Sequence, residues 1–320
     1  MFLKKITKLF VIVILSSLTI AIACNRTAEE KNVEETETDT KGRLTSVMDF
    51  KMEEYDAESE EGKMIALGES LVKETYKYFF NEDGSKIGNR LACSSCHLNG
   101  GTTPYAAPFV GINAVFPQYR AREGKIGSLE ERINGCFERS MAGEAIPVDG
   151  KEMRAMVTYM KHLSKDVKMG EKIEGTGFVN LEIPDRAVDL EKGALVYEQQ
   201  CLTCHMKDGQ GLMLPDKDGY IYPPLWGDDS YNDGAGMNRV LTAAKFIKAN
   251  MPLGVTYDAP QLTDEEAFDV AGYINSHGRS VKINKEKDFP TLSEKPKDAS
   301  YPPYADDIPQ EQHKYGPFNF

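Results

Sequence analysis

Cys93-Ser94-Ser95-Cys96-His97 is the stretch from which the rest of the chain is read. It matches Cys-x-x-Cys-His, the pattern of a covalently attached c-type haem. Two thiols add across the haem's vinyl groups, and the spacing lets one turn of chain present both. His97 follows directly and reaches the iron as proximal ligand. A redox or zinc-binding Cys-x-x-Cys is the alternative. A second copy, Cys201-Leu202-Thr203-Cys204-His205, weighs against it in a chain with only six cysteines and five histidines. Two covalently bound haem c groups are therefore expected, one on Cys93, Cys96 and His97 and one on Cys201, Cys204 and His205.

At 320 residues the prior is about two domains, and one motif falls in each half. The composition is that of a soluble protein with enough apolar residues for real cores. The formal charge is −12, and residues 25–61 hold thirteen acids against five bases. That balance argues against nucleic acid and against charge-driven binding to anionic lipid. Haem c is attached outside the cytoplasm, so the motifs themselves predict export. Cys24 and Cys136 are left over. A disulfide between them is disfavoured, because Cys24 sits at a processing site far from any folded segment.

Residues 1–23 read as a signal peptide, with Lys4, Lys5 and Lys8 ahead of an apolar run from Leu9 to Ile22. The run is too short for an ordinary membrane span. Ala21-Ile22-Ala23 before Cys24 reads either as a small-residue cleavage site or as an imperfect lipobox. A lone cysteine followed by a polar linker resembles bacterial lipoproteins, so a lipid anchor on Cys24 is favoured over simple secretion. That places the protein in the periplasm or at the outer cell surface. Residues 24–61 are expected to form an acidic disordered tether.

From Gly62 a helical period appears in Met64, Leu67, Leu71 and Tyr78, ending shortly before the first haem motif. Leu190, Ala194 and Tyr197 mark the matching helix before Cys201. Each half also closes with a helix, the first carrying Met153, Met156, Val157 and Met160. The second opens on the capping box Thr263-Asp-Glu-Glu266 and runs through Ala267, Val270, Ala271 and Ile274. Helix, haem motif, ligand loop and closing helix, in that order, describe a class I cytochrome c domain. The expectation is an all-α fold of two tandem class I domains. Residues 62–166 form the first, 167–189 the linker, 190–282 the second, and 283–320 a Pro- and Lys-rich tail wrapping the surface in extended form.

The sixth iron ligands separate a carrier from an enzyme, because an electron-transfer haem commonly has a strong distal Met or His. In the second half, Met251 lies in a Pro/Gly loop after the helical run Val240, Leu241, Ala244, Ile247. It is the distal ligand of choice, with Met213, Met237 and Lys248 as rivals. In the first half, the capping box Ser128-Leu-Glu-Glu131 starts a helix with Leu129, Ile133, Cys136 and Phe137 on one face. Cys136 is then either an inert buried cysteine or a thiolate ligand that lowers the haem potential, and Met141 competes for the same role. A dihaem electron carrier without substrate chemistry follows if Met141 ligates.

The segment Arg132-Ile-Asn-Gly-Cys136-Phe-Glu-Arg-Ser140-Met-Ala-Gly143, with Cys93-Ser-Ser-Cys-His-Leu-Asn99, Tyr119-Arg-Ala-Arg122 and Phe246-Ile-Lys-Ala-Asn-Met-Pro-Leu-Gly254, resembles the dihaem thiosulfate dehydrogenase family. The resemblance spans both haem domains, from about residue 62 to 282. It implies His97/Cys136 ligation at a catalytic first haem and His205/Met251 ligation at an electron-transfer second haem. It implies Arg122, Arg132 and Ser140 at the substrate pocket. The implied reaction joins two thiosulfates into tetrathionate, or runs in reverse as tetrathionate reduction, with another cytochrome c or similar carrier as external partner. Asn250 stands where some members carry a lysine that permits ligand exchange. Arg120, Arg122, Lys125, Arg132 and Arg139 supply positive charge around the Cys136 helix, and guanidinium suits sulfonate-type oxygens. Another sulfur oxidation at a Cys-ligated haem is the neighbouring alternative.

Overall fold

The computed structural model describes residues 42–320. The expected signal segment, Cys24 and the first part of the tether lie outside the described residues. Among those described, no helix is long and apolar enough to cross a membrane.

The first half is built on three helices, α1 (Glu60–Lys73), α2 (Leu129–Phe137) and α3 (Lys151–His162). Ser59 caps α1 by accepting from the Gly62 amide at 3.0 Å. Ile65, Gly68, Leu71 and Val72 form its buried face, whereas Tyr78 falls beyond the helix and is exposed. A short antiparallel hairpin, β1 (Gln118–Arg120) and β2 (Lys125–Gly127), leads into α2. The Ser128–Glu131 capping box forms as expected: the Glu131 amide donates to Ser128 Oγ at 3.3 Å, and the Ser128 amide donates to Glu131 Oε2 at 2.9 Å.

The second half repeats the plan with α4 (Leu190–Gln200), a second hairpin of β3 (Leu212–Met213) and β4 (Tyr220–Tyr222), α5 (Val240–Asn250) and α6 (Asp264–Ser276). Thr263 and Glu266 form the second capping box. In both halves the opening and closing helices cross at a glycine. A Cβ on Gly68 of α1 would fall 2.1 Å from the Ala155 carbonyl oxygen of α3, and one on Gly193 of α4 would fall 2.2 Å from that of Asp269 in α6. Only glycine permits backbones to approach so closely. The expected, mostly helical architecture of two repeated units thus holds, with the two small hairpins as additions. Each half has its own core.

Three boundaries depart from expectation. The tether is ordered well before residue 62, because Val47 is buried in the first core and its amide donates to the Glu174 carbonyl at 2.8 Å. One apolar side chain with a core to enter, plus a short backbone bridge, offsets the acidic composition around it. The segment 167–189 begins as part of the first half, burying Val167 and Ile173 in its core. The tail is not simply extended: it contains helix α7 (Gln310–Tyr315), and buries Tyr301, His313 and Phe318. Phe318 packs edge-on against Phe268 of α6.

Candidate functional site

The first site is assembled from two walls. On one, Cys93–Ser95 forms a 3-10 turn whose start is pinned by Thr75, which accepts from the Cys93 amide at 3.0 Å. His97 Nδ1 lies 2.6 Å from the Ala107 carbonyl. A ring N–H donating there turns Nε2 toward Cys136, the orientation that outer support gives a ligating histidine. Ala107 and nearby Tyr105 take positive φ angles of 48° and 57°, uncommon for residues with a Cβ, in the loop that offers this carbonyl. Phe109 packs on the imidazole with ring centroids 4.3 Å apart.

On the other wall stands α2. It presents Cys136, and Arg132 one turn earlier donates from Nη1 to Cys136 Sγ at 2.7 Å. Between the walls is a cavity of about 340 Å³ lined by Cys93, Cys96, His97, Arg132, Cys136, Ser140 and Met141 among largely apolar neighbours. Burial pushes the Cys93 thiol up to about 11 and the Cys96 thiol up to about 12. Burial also pushes Cys136 up, but the Arg132 guanidinium and the His97 imidazole outweigh it and bring this thiol down to about 6. One cysteine of the three is thus held as thiolate, and it faces the histidine. An apolar cavity with two neutral thiols and an imidazole on one wall, and a thiolate opposite, suits a covalently held haem. Met141 also lines the cavity, but the charge and the His97 contact belong to Cys136.

Not every expected base reaches this cavity. Arg132 and Ser140 do. Arg122 does not: its Nη1 donates to Asp288 Oδ2 at 2.9 Å, to the Gly234 carbonyl at 3.0 Å and to Tyr301 Oη at 3.1 Å. Arg139 donates to Asp288 Oδ1 at 2.6 Å, Lys125 pairs with Glu131 at 2.6 Å, and Arg120 with Glu123 at 3.4 Å. Arg122, expected at the substrate pocket, thus lies outside the cavity lining, with its guanidinium held by a tail carboxylate. Gln118, Lys172 and Thr176 line the cavity and were not anticipated. The last two sit in the stretch read as a linker, where polar residues carry no signal of what they face.

The second site repeats the proximal geometry. His205 is buried, and its Nδ1 lies 2.8 Å from the Pro223 carbonyl. Burial lowers its affinity for a proton and keeps it neutral, as a metal ligand must be. Met251 caps the C-terminus of α5 and packs, like Cys201 and Met237, against the second core; Met213 is not part of that cluster. Lys248 pairs with Asp264 and donates to the Leu262 carbonyl, each at 2.7 Å. Asn250 is buried, and its Nδ2 donates to the Phe246 carbonyl at 2.9 Å and the Tyr105 carbonyl at 3.4 Å.

Residues 77–169 match the model of the SoxA/TsdA cytochrome c domain, and residues 188–274 match that of cytochrome c oxidase, cbb3-type, subunit III. The two matches fall on the two halves and give the chain two cytochrome c domains, which implies haem c. The chain is 41% identical over 243 residues to a thiosulfate dehydrogenase of Psychrobacter arcticus, covering 75% of this chain and 71% of that one. It is 45% identical over 224 residues to a thiosulfate dehydrogenase of Allochromatium vinosum, covering 68% and 80%. Among solved structures it matches the as-isolated thiosulfate dehydrogenase TsdBA of Marichromatium purpuratum with a TM-score of 0.67 and 34% identity. That match covers 78% of this chain and spans about half, 52%, of the other. The chain belongs to the thiosulfate dehydrogenase family.

Proposed function

We propose that the protein oxidises thiosulfate to tetrathionate at the first haem site, with Cys136 and His97 as iron ligands there and His205 and Met251 at the second. The observation that carries this reading is the Arg132–Cys136 contact at 2.7 Å, which keeps a thiolate inside an apolar cavity opposite His97. When bound, the two haems supply one-electron redox capacity, two electrons in all. The reaction needs that number: two thiosulfate dianions give one tetrathionate dianion and two electrons, an S–S bond forms between the outer sulfurs, and no proton moves.

The residues divide the work. The Arg132 guanidinium offers paired N–H donors to sulfonate-type oxygens, and Ser140 adds a hydroxyl on the same cavity wall. The Cys136 thiolate is the site of an oxidative coupling, since the outer sulfur of thiosulfate is itself a nucleophile. Its sulfur bonds the outer sulfur of the first thiosulfate with loss of two electrons, giving a Cys–S–S–sulfonate. A second thiosulfate then attacks, tetrathionate leaves, and the thiolate is restored. The same steps in reverse reduce tetrathionate, and an external carrier such as another cytochrome c takes or supplies the electrons.

An assay of thiosulfate with ferricyanide, beside tetrathionate with a reduced donor, tests the reading. Cys136→Met should keep both haems attached and abolish turnover; undiminished activity refutes the assignment. Mass spectrometry of protein trapped with thiosulfate should find the adduct on Cys136. The same reading includes export and a lipid on Cys24, supported by the signal-like run and the haem motifs. Cys24→Ser should then shift the protein from the membrane to the soluble extract and end labelling by a radioactive fatty acid; unchanged fractionation sinks the anchor.

A further inference from the structure

Asp288 lies in the C-terminal tail, yet its side chain is buried against the first half of the chain and bridges two arginines. Oδ1 accepts from Arg139 at 2.6 Å, and Oδ2 accepts from Arg122 at 2.9 Å and from Tyr301 Oη at 2.7 Å. The surroundings hold it there. The Phe289 amide donates to the Arg122 carbonyl at 2.8 Å, the Arg122 guanidinium lies 5.1 Å over the Phe289 ring, and Pro290 packs against Gly124. Glu138 reaches Arg139 from the more exposed side at 3.4 Å, and Lys295 faces the same carboxylate.

Neither guanidinium lines the Cys136 cavity, but Arg139 adjoins it through the backbone. The Arg139 amide donates to the Cys136 carbonyl at 3.2 Å, and Ser140, which lines the cavity, follows directly. A carboxylate shared between two guanidiniums takes the place that a sulfonate would otherwise compete for. Because Asp288 is part of the chain, it competes at an effective concentration no dilute anion matches.

We propose that Asp288 is an internal counter-anion that withdraws Arg122 and Arg139 from substrate recognition, so that Arg132 and Ser140 set anion affinity at Cys136. The inference rests on the thiosulfate reading. Asp288 is a positioning residue: it touches no substrate, and it halves the charge of the arginine pair beside the site.

The test is steady-state thiosulfate oxidation by the full-length holoprotein and its Asp288→Asn variant, at low and at high ionic strength. Asparagine keeps the shape and removes the charge. At low ionic strength the KM for thiosulfate should fall by about threefold or more, with little change in kcat. The gain should vanish at high salt. Asp288→Glu should keep the wild-type KM. An unchanged or raised KM in folded Asp288→Asn protein overturns the proposal, as does an equal fall in Asp288→Glu. Arg139→Gln provides a second arm should Asp288→Asn not fold. A rise in KM below about tenfold, as for lost background charge, supports the proposal; a larger rise means direct substrate contact and overturns it. A wild-type protein without thiosulfate turnover defeats the functional reading alone. Calorimetric titration with sulfate then still decides, with tighter binding to Asp288→Asn in support and equal or weaker binding against.

Discussion

Arg132 Nη1 sits 2.7 Å from Cys136 Sγ, one turn earlier on the same helix. The helix that holds both begins at a capping box, so their spacing is set by local geometry and not by a mobile loop. Arg132→Leu removes charge and donors together, and kcat/KM for thiosulfate should fall by about a hundredfold; Arg132→Lys keeps the charge and should cost about tenfold. Haem content should be unchanged in both. Activity of the leucine variant within threefold of wild type contradicts the role given to Arg132.

The crossing glycines make a prediction about the scaffold. Gly68→Ala and Gly193→Ala each place a methyl about 2 Å from a backbone oxygen, so the helices must separate. Each should cost about 1–3 kcal/mol, read as a fall of several degrees in the melting temperature of the holoprotein. A melting temperature equal to wild type would mean that the crossing is looser than described.

Lys295 predicts a pH dependence. Burial, partly offset by Asp288, brings its ammonium down to about 8 from the ordinary 10.5. Below about 8 both folded and unfolded chains hold the proton, and the contribution is flat. Between about 8 and 10.5 the unfolded chain binds more protons than the folded one, so this group makes stability rise with pH. Lys295→Met removes that rise: its stability relative to wild type should decline as pH climbs from 8 to 10. A difference in melting temperature that is constant across this range contradicts the shift.

What was legible in the sequence was local. The capping boxes at Ser128 and Thr263 involve residues three apart and form as read, and the two pentapeptides fall in the two matched cytochrome c domains. The face of α2 bearing Ile133, Cys136 and Phe137 was likewise readable from helical spacing. Contacts between distant segments were not. Gly68 and Gly193 look like weak helix residues until the partner helix is in place. The family resemblance placed Arg122 at the substrate pocket, and spacing gave no sign that Asp288, more than 160 positions later, pairs with it. The tail seemed extended because prolines break helical periodicity, while Tyr301 and Phe318 are buried singly rather than along a repeating face. The hairpin strands of two or three residues are too short to show alternation.

Completion of the first site by Cys136 is tested most directly by low-temperature EPR of the ferric protein beside its Cys136→Met variant. Two low-spin ferric signals are expected in the wild type, one of thiolate-ligated and one of His/Met type. The thiolate signal should disappear in Cys136→Met, with both haems still attached and the other signal unchanged. A wild-type spectrum lacking a thiolate signal, or a thiolate signal that survives the substitution, contradicts the assignment.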